Sequence, residues 1–221
     1  MKFRGEKVTF LGWLDNIWYH FKAPIVIAVF AIPMLIVGCV QFCSKEENDV
    51  FIYVAGEFGL DAKTEHDFKV EMSTYFAPDS NLDGKVVVDM KVNKFEMVDK
   101  ANGKKVLFNP SKQFKGTEEV FIELGQGECV VYLLQEGFFH ANKDYFASFE
   151  ETLGYVPDNA IDGKGLRLSD IGAYTATNTL KYFPSDYILC FADKSDRVDD
   201  EIYNGNVEFV KNLIEWNIIG N

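Results

Sequence analysis

Histidine is almost missing from this chain. The three that occur, His20, His66 and His140, share no ligand spacing, which removes the usual zinc sets. Only four cysteines occur, and Cys39 and Cys43 fall inside an apolar run. Disulfide-stapled domains are built from many paired cysteines in loops, so that class is excluded; Cys129 and Cys190, each in a strand-like run, read as small core residues. No G-x-S-x-G, H-E-x-x-H, Walker loop or G-x-G-x-x-G is present, and no histidine stands beside Cys129 to generate a thiolate. The sequence therefore reads as a binding or interaction protein rather than an enzyme. Positive charge is scarce too: 22 Lys and Arg against 34 Asp and Glu give a net charge of −12. Phosphate backbones would be repelled, which argues against nucleic acid as a partner.

What the chain does have is a long stretch without charge. Ala23 to Ser44, APIVIAVFAIPMLIVGCVQFCS, lies between Lys22 and Lys45. As an α-helix it reaches roughly 33 Å, enough for a hydrocarbon core of about 30 Å. It reads as one transmembrane helix, with Pro24 in its first turn and Pro33 expected to kink it midway. Residues 1–22 carry Lys2, Arg4, Lys7 and Lys22 against Glu6 and Asp15, or +2, so within the net of −12 residues 45–221 carry −14. Flanking Lys and Arg are retained in the cytoplasm, so the N-terminus is expected inside and the acidic domain outside the cell membrane. In residues 8–22, Phe10, Trp13, Leu14, Ile17 and Phe21 share a helical face, as in an amphipathic segment lying at the cytoplasmic interface. A second reading of the apolar run starts from Ile36-Val37-Gly38-Cys39, which resembles a lipoprotein signal; Cys39 would then carry lipid, and the domain would still be tethered outside.

Residues 45–221 suit one domain with a sizeable core. Asp49 to Ala55, Glu128 to Leu134 and Asp186 to Ala192 are apolar, β-branched runs expected as strands. Lys85 to Val98 alternates, and Asn102-Gly103 suggests an antiparallel hairpin with Lys104 to Phe108. Helical spacing marks Thr64 to Phe76, with Thr64 as cap. It also marks Thr117 to Leu124, capped by Thr117, then Glu136 to Phe149 and Asp199 to Asn217. Strands alternating with helices, plus one hairpin, predict an α/β domain with a mixed, partly antiparallel sheet flanked by helices.

Two places draw attention as sites. Asp79, Asn81 and Asp83 with Gly84 match the opening of a calcium loop, but position twelve is Met90 instead of a bidentate glutamate. At most this predicts low-affinity Ca2+ binding and a calcium-dependent surface protein; the plainer reading is an Asx-rich turn, with no cofactor. Ligands of open α/β sheets gather at the carboxyl ends of strands, which here nominates Gly56, Glu57, Gln135, Glu136 and Asp193. The carboxylates of Asp193, Asp196, Asp199, Asp200 and Glu201 read as a solvated loop and helix start.

The segment TEEVFIELGQGECVVYLLQEGFF is similar to a part of type II periplasmic solute-binding proteins where a helix, a Gly-containing turn and an apolar strand lead to a pocket edge. The N-terminal plan, IWYHFK, one anchor and then DVFIYVAG, resembles that of uncharacterised single-pass membrane-anchored proteins of Gram-positive, clostridial-type bacteria with a solute-binding-like outer lobe. GLRLSDIGAY and SDYILCFADKSDR look like the closing portion of that group. The resemblance implies an extracytoplasmic α/β domain and names no ligand. Such proteins hold solute between two lobes, and residues 45–221 are too few for both. The expected function is thus an extracytoplasmic interaction module in an envelope assembly, with membrane and envelope proteins as partners. Capture of a small solute or peptide for a membrane transporter is the alternative.

Overall fold

The computed structural model describes residues 10–43, 47–95 and 110–219, and the chain forms two units, residues 1–46 and 47–221. The first holds one helix, α1 (Phe10–Cys43), whose apolar window Ile17–Gly38 is long enough to span a membrane and buries none of its surface within the protein. At 34 residues the helix would run about 51 Å if straight. It is not straight: Phe21 leaves helical geometry at φ −119°, ψ 15°. The break belongs to Pro24, which offers no N–H to the carbonyl of His20 and presses its ring against it. At Pro33, where the sequence leads one to expect a kink, the dihedrals stay helical; the residue of α1 with non-helical dihedrals is Phe21. The break divides α1 into a short aromatic-rich piece and an apolar piece of spanning length.

The second unit is built on a five-stranded sheet, β1 (Val50–Gly56), β2 (Val88–Lys94), β3 (Val131–Gln135), β4 (Gly165–Arg167) and β5 (Tyr187–Phe191), in the spatial order β2-β1-β3-β5-β4. Strand β1 pairs in parallel with β2 and β3, whereas β5 runs antiparallel to both β3 and β4. The sheet is mixed, as expected from the sequence. Strand β2 takes its place parallel to β1; the hairpin expected through Asn102-Gly103 lies outside the described residues.

Both faces of the sheet are covered, so the central strands are apolar throughout. Val50, Ile52 and Val54 of β1 join Val131 and Leu133 on one face, under α2 (Ala62–Tyr75) and α7 (Asp200–Ile219), which supply Phe68, Met72, Phe209, Val210 and Leu213. Tyr53, Ala55, Tyr132 and Leu134 point the other way. There they meet Val120 of α3 (Pro110–Gln126) and Phe138 and Phe139 of α4 (Glu136–Asn142). The two-residue alternation of a strand thus feeds two separate cores.

Local chemistry moved several boundaries. Asp61, not Thr64, caps α2: its carboxylate accepts from the amides of Lys63 and Thr64 at 3.0 and 3.1 Å and from the Thr64 hydroxyl at 2.7 Å. Thr117 lies inside α3 and is not its cap. The helix expected over Glu136 to Phe149 is cut after α4, because Phe146 bridges to Ala192 and the Ala147 amide bonds Phe191 O at 2.9 Å. The chain resumes as α5 (Phe149–Leu153), capped by Ser148. Short α6 (Gly172–Ala176) follows β4, a strand of three residues with no signal in the sequence.

Candidate functional site

Because β1, β2 and β3 are parallel, their carboxyl ends Gly56, Lys94 and Gln135 share one edge of the sheet, and β5 begins there at Tyr187. This edge is tied to itself. The Gln135 side-chain oxygen accepts the Glu57 amide at 3.1 Å, and the Tyr187 hydroxyl accepts the Phe58 amide at 3.0 Å. Gly56 has φ +155°, and a Cβ there would sit 2.3 Å from the Tyr187 hydroxyl and 2.8 Å from Gln135 Cβ. Burial pushes the Tyr187 phenol up to about 12, so it remains a neutral hydrogen-bonding group at physiological pH.

Glu136, the first residue of α4, accepts from the Arg167 guanidinium at the end of β4, and His140 Nε2 lies 3.4 Å from the same oxygen. The Arg167 hydrogen bond holds the Glu136 carboxyl below its ordinary range. Of the five residues nominated at strand ends, Gly56, Glu57, Gln135 and Glu136 therefore come together. Asp193 does not: β5 runs against its neighbours, so its carboxyl end and Asp193 emerge at the opposite edge.

The loop Asp79, Asn81, Asp83 spends side-chain oxygens on its own backbone. Asp79 Oδ2 accepts the Gly84 amide at 3.0 Å, Asn81 Oδ1 the Asp83 amide at 3.0 Å and Asp83 Oδ1 the Lys85 amide at 2.8 Å. The last two are Asx turns, and the first closes the loop across five residues, with Leu82 and Gly84 at φ 57° and 84°. Asp79 Oδ1 is buried without a partner. Among the described residues no three His, Cys, Asp or Glu side chains stand together as a metal set.

Cys129 and Cys190 are buried free thiols, and burial raises both above the ordinary thiol range, the opposite of nucleophile activation. Cys39 lies near the end of α1. His20 is in the first unit, and His66 and His140 are on α2 and α4.

The open space lies at the other edge of the sheet, where β1 and β3 begin. A cleft of about 630 Å³ is floored there by Phe51, Val130, Val198 and Ile202, with Asn206 of α7 on its lining. Asn206 is 2% exposed. Its side-chain N–H groups go to Asp49 O at 3.0 Å and Ile202 O at 2.7 Å, while its Oδ1 has no partner. Behind it stands Asp49, wholly buried, which accepts the Ser80, Asn81 and Val87 amides at 2.7, 3.2 and 2.8 Å. Neither residue was nominated from the sequence. The signal for Asn206 was a polar side chain on the stripe of Ile202, Val210 and Leu213; for Asp49 it was a carboxylate directly before a buried strand.

No family model, no curated protein and no solved structure matches this chain.

Proposed function

We propose that the protein is a single-pass membrane-anchored interaction module: the apolar part of α1 crosses the bilayer, residues 1–22 stay in the cytoplasm, and the α/β domain works outside the cell in an envelope assembly. One observation carries this reading, the helix α1 with an apolar window of spanning length and no burial within the protein. Such a surface is left for lipid. The orientation rests on the Lys and Arg residues before the helix and the acidic excess after it.

Interaction is favoured over solute capture by the edge where a solute would be expected. There Gln135, Tyr187 and the Glu136–Arg167 pair fill the strand ends with one another. Capture and delivery of a small solute or peptide is the second reading, and the cleft at the opposite edge supports it, being of the size in which small molecules bind, roughly 300–1,000 Å³.

The test is fractionation of cells expressing the full chain, followed by protease added to intact spheroplasts. The protein should remain with membranes after an alkaline carbonate wash and lose its α/β domain to the protease. A full-length chain in the soluble fraction, or an α7 shielded from external protease, overturns the reading.

A further inference from the structure

Taking the domain as the interaction module proposed above, the geometry points to the cleft at the amino ends of β1 and β3 as the docking site for a basic segment of a partner protein, one that alternates Lys or Arg with aliphatic side chains. The floor, Phe51, Val130, Val198 and Ile202, is apolar and suits aliphatic groups. The rim is acidic: Glu47, Glu128 and Asp199 stand exposed around it with Arg197 as their counter-charge. A second cleft, sharing Val198 and Asp199 with the first, adds Asp196, Asp200 and Glu201, and its Lys194 is already bonded to Asp200. The acidic surface thus continues beyond one pocket, as an elongated cationic ligand requires.

A second observation, independent of the carboxylates, asks for the same chemistry. Asn206 lines the cleft, is 2% exposed and has both side-chain N–H groups committed to backbone carbonyls, so what it has left is an acceptor without a donor. Buried acceptors are rarely left unpaired; Oδ1 is closed off from solvent here, so a ligand bearing N–H groups supplies the missing donor once the Asn206 side chain turns toward the cleft. An anionic lipid headgroup would meet carboxylates and an acceptor, the wrong sign on both counts.

The experiment uses the full-length protein in phosphatidylcholine nanodiscs and follows the fluorescence anisotropy of a labelled Lys-Leu-Lys-Leu-Lys peptide, with Glu-Leu-Glu-Leu-Glu as the charge-reversed control. The basic peptide should bind and the acidic one should not. The variant Glu47→Gln/Glu128→Gln/Asp199→Asn should weaken binding at least about tenfold, while Glu118→Gln/Asp158→Asn/Glu208→Gln, matched in charge but away from the cleft, should stay within about twofold. If Asp199→Asn disturbs the start of α7, the double variant Glu47→Gln/Glu128→Gln carries the same expectation with a smaller loss. Equal weakening by both variant sets makes the attraction one of bulk charge and overturns the site. Displacement of the peptide by an equal concentration of spermidine makes the occupant a small amine and overturns the partner segment. Failure of the anchoring reading shows itself differently, as full-length chain in the soluble fraction, and leaves peptide binding untouched.

Discussion

Asn206, on the last helix, donates its side-chain amide to the backbone carbonyl of Asp49, 157 positions earlier, at 3.0 Å. The Asp49 carboxylate in turn gathers the loop before β2 through the amides of Ser80, Asn81 and Val87. One buried pair therefore joins the start of β1, the approach to β2 and the middle of α7.

Removing the buried carboxylate leaves those half-buried amides without their acceptor. Asp49→Ala is expected to cost about 3 kcal/mol, since hydrogen bonds to a charged group are the stronger kind and unmade ones are penalised. Asp49→Asn, which keeps one oxygen, should lose less. Urea denaturation followed by tryptophan fluorescence ranks the two, and a ranking in the opposite order removes the carboxylate from its assigned role.

Gly205 inverts an ordinary rule. Within a helix, replacing Gly by Ala gains roughly 1 kcal/mol. Here a Cβ would fall 1.8 Å from the Ser80 hydroxyl and 2.8 Å from its Cβ. Gly205→Ala is therefore expected to lower the melting temperature, and Ser80→Gly to recover part of the loss. A variant that melts higher than the parent refutes the close approach of α7 to the loop.

At the carboxyl edge, Gly56→Ala forces a side chain onto the Tyr187 hydroxyl and onto a backbone with φ +155°. The expected cost is about 2–3 kcal/mol. Tyr187→Phe alone gives up the bond to the Phe58 amide, yet in the double variant it also frees space. A double-mutant cycle should return a favourable coupling of about 1 kcal/mol; strict additivity would show that the two positions do not meet.

Glu136 offers a pH readout. Its carboxyl is held below the ordinary value of 4.5 by the Arg167 hydrogen bond. A depressed carboxyl contributes stability that is fully present above its unfolded value and lost as pH falls through the lower folded value. Arg167→Met should move the Glu136 titration, followed by NMR of its side-chain carboxyl carbon, upward toward 4.5. The change in stability should be small, because both partners are partly solvated. An unmoved titration would mean the pair does not form in solution.

The strands with continuous apolar runs, VFIYVA, CVVYLL and YILCF, were plain in the sequence, because burial on both faces demands such runs. So were the apolar window of α1 and the inward stripe of α7. The direction of β5 was not: a buried run reads alike in either sense, and for that reason Asp193 was grouped with strand ends that lie across the sheet. Strand β4 was invisible because three residues carry no period; its place is set by Gly165, where a Cβ would come within 2.6 Å of both Ile188 and Phe139. The site residues Asp49 and Asn206 stood out as polar letters in apolar company, but only the fold shows that they meet.

Strand β1 begins at Val50, with the six residues 44–49 between it and the end of α1 at Cys43, and is hydrogen-bonded along both edges, to β2 and to β3. Any pull along the tether is therefore delivered to a central strand, and must shear two ladders at once before the domain gives way. A link of this kind behaves as a mechanical coupling, passing load from α1 into the lobe without first unravelling it.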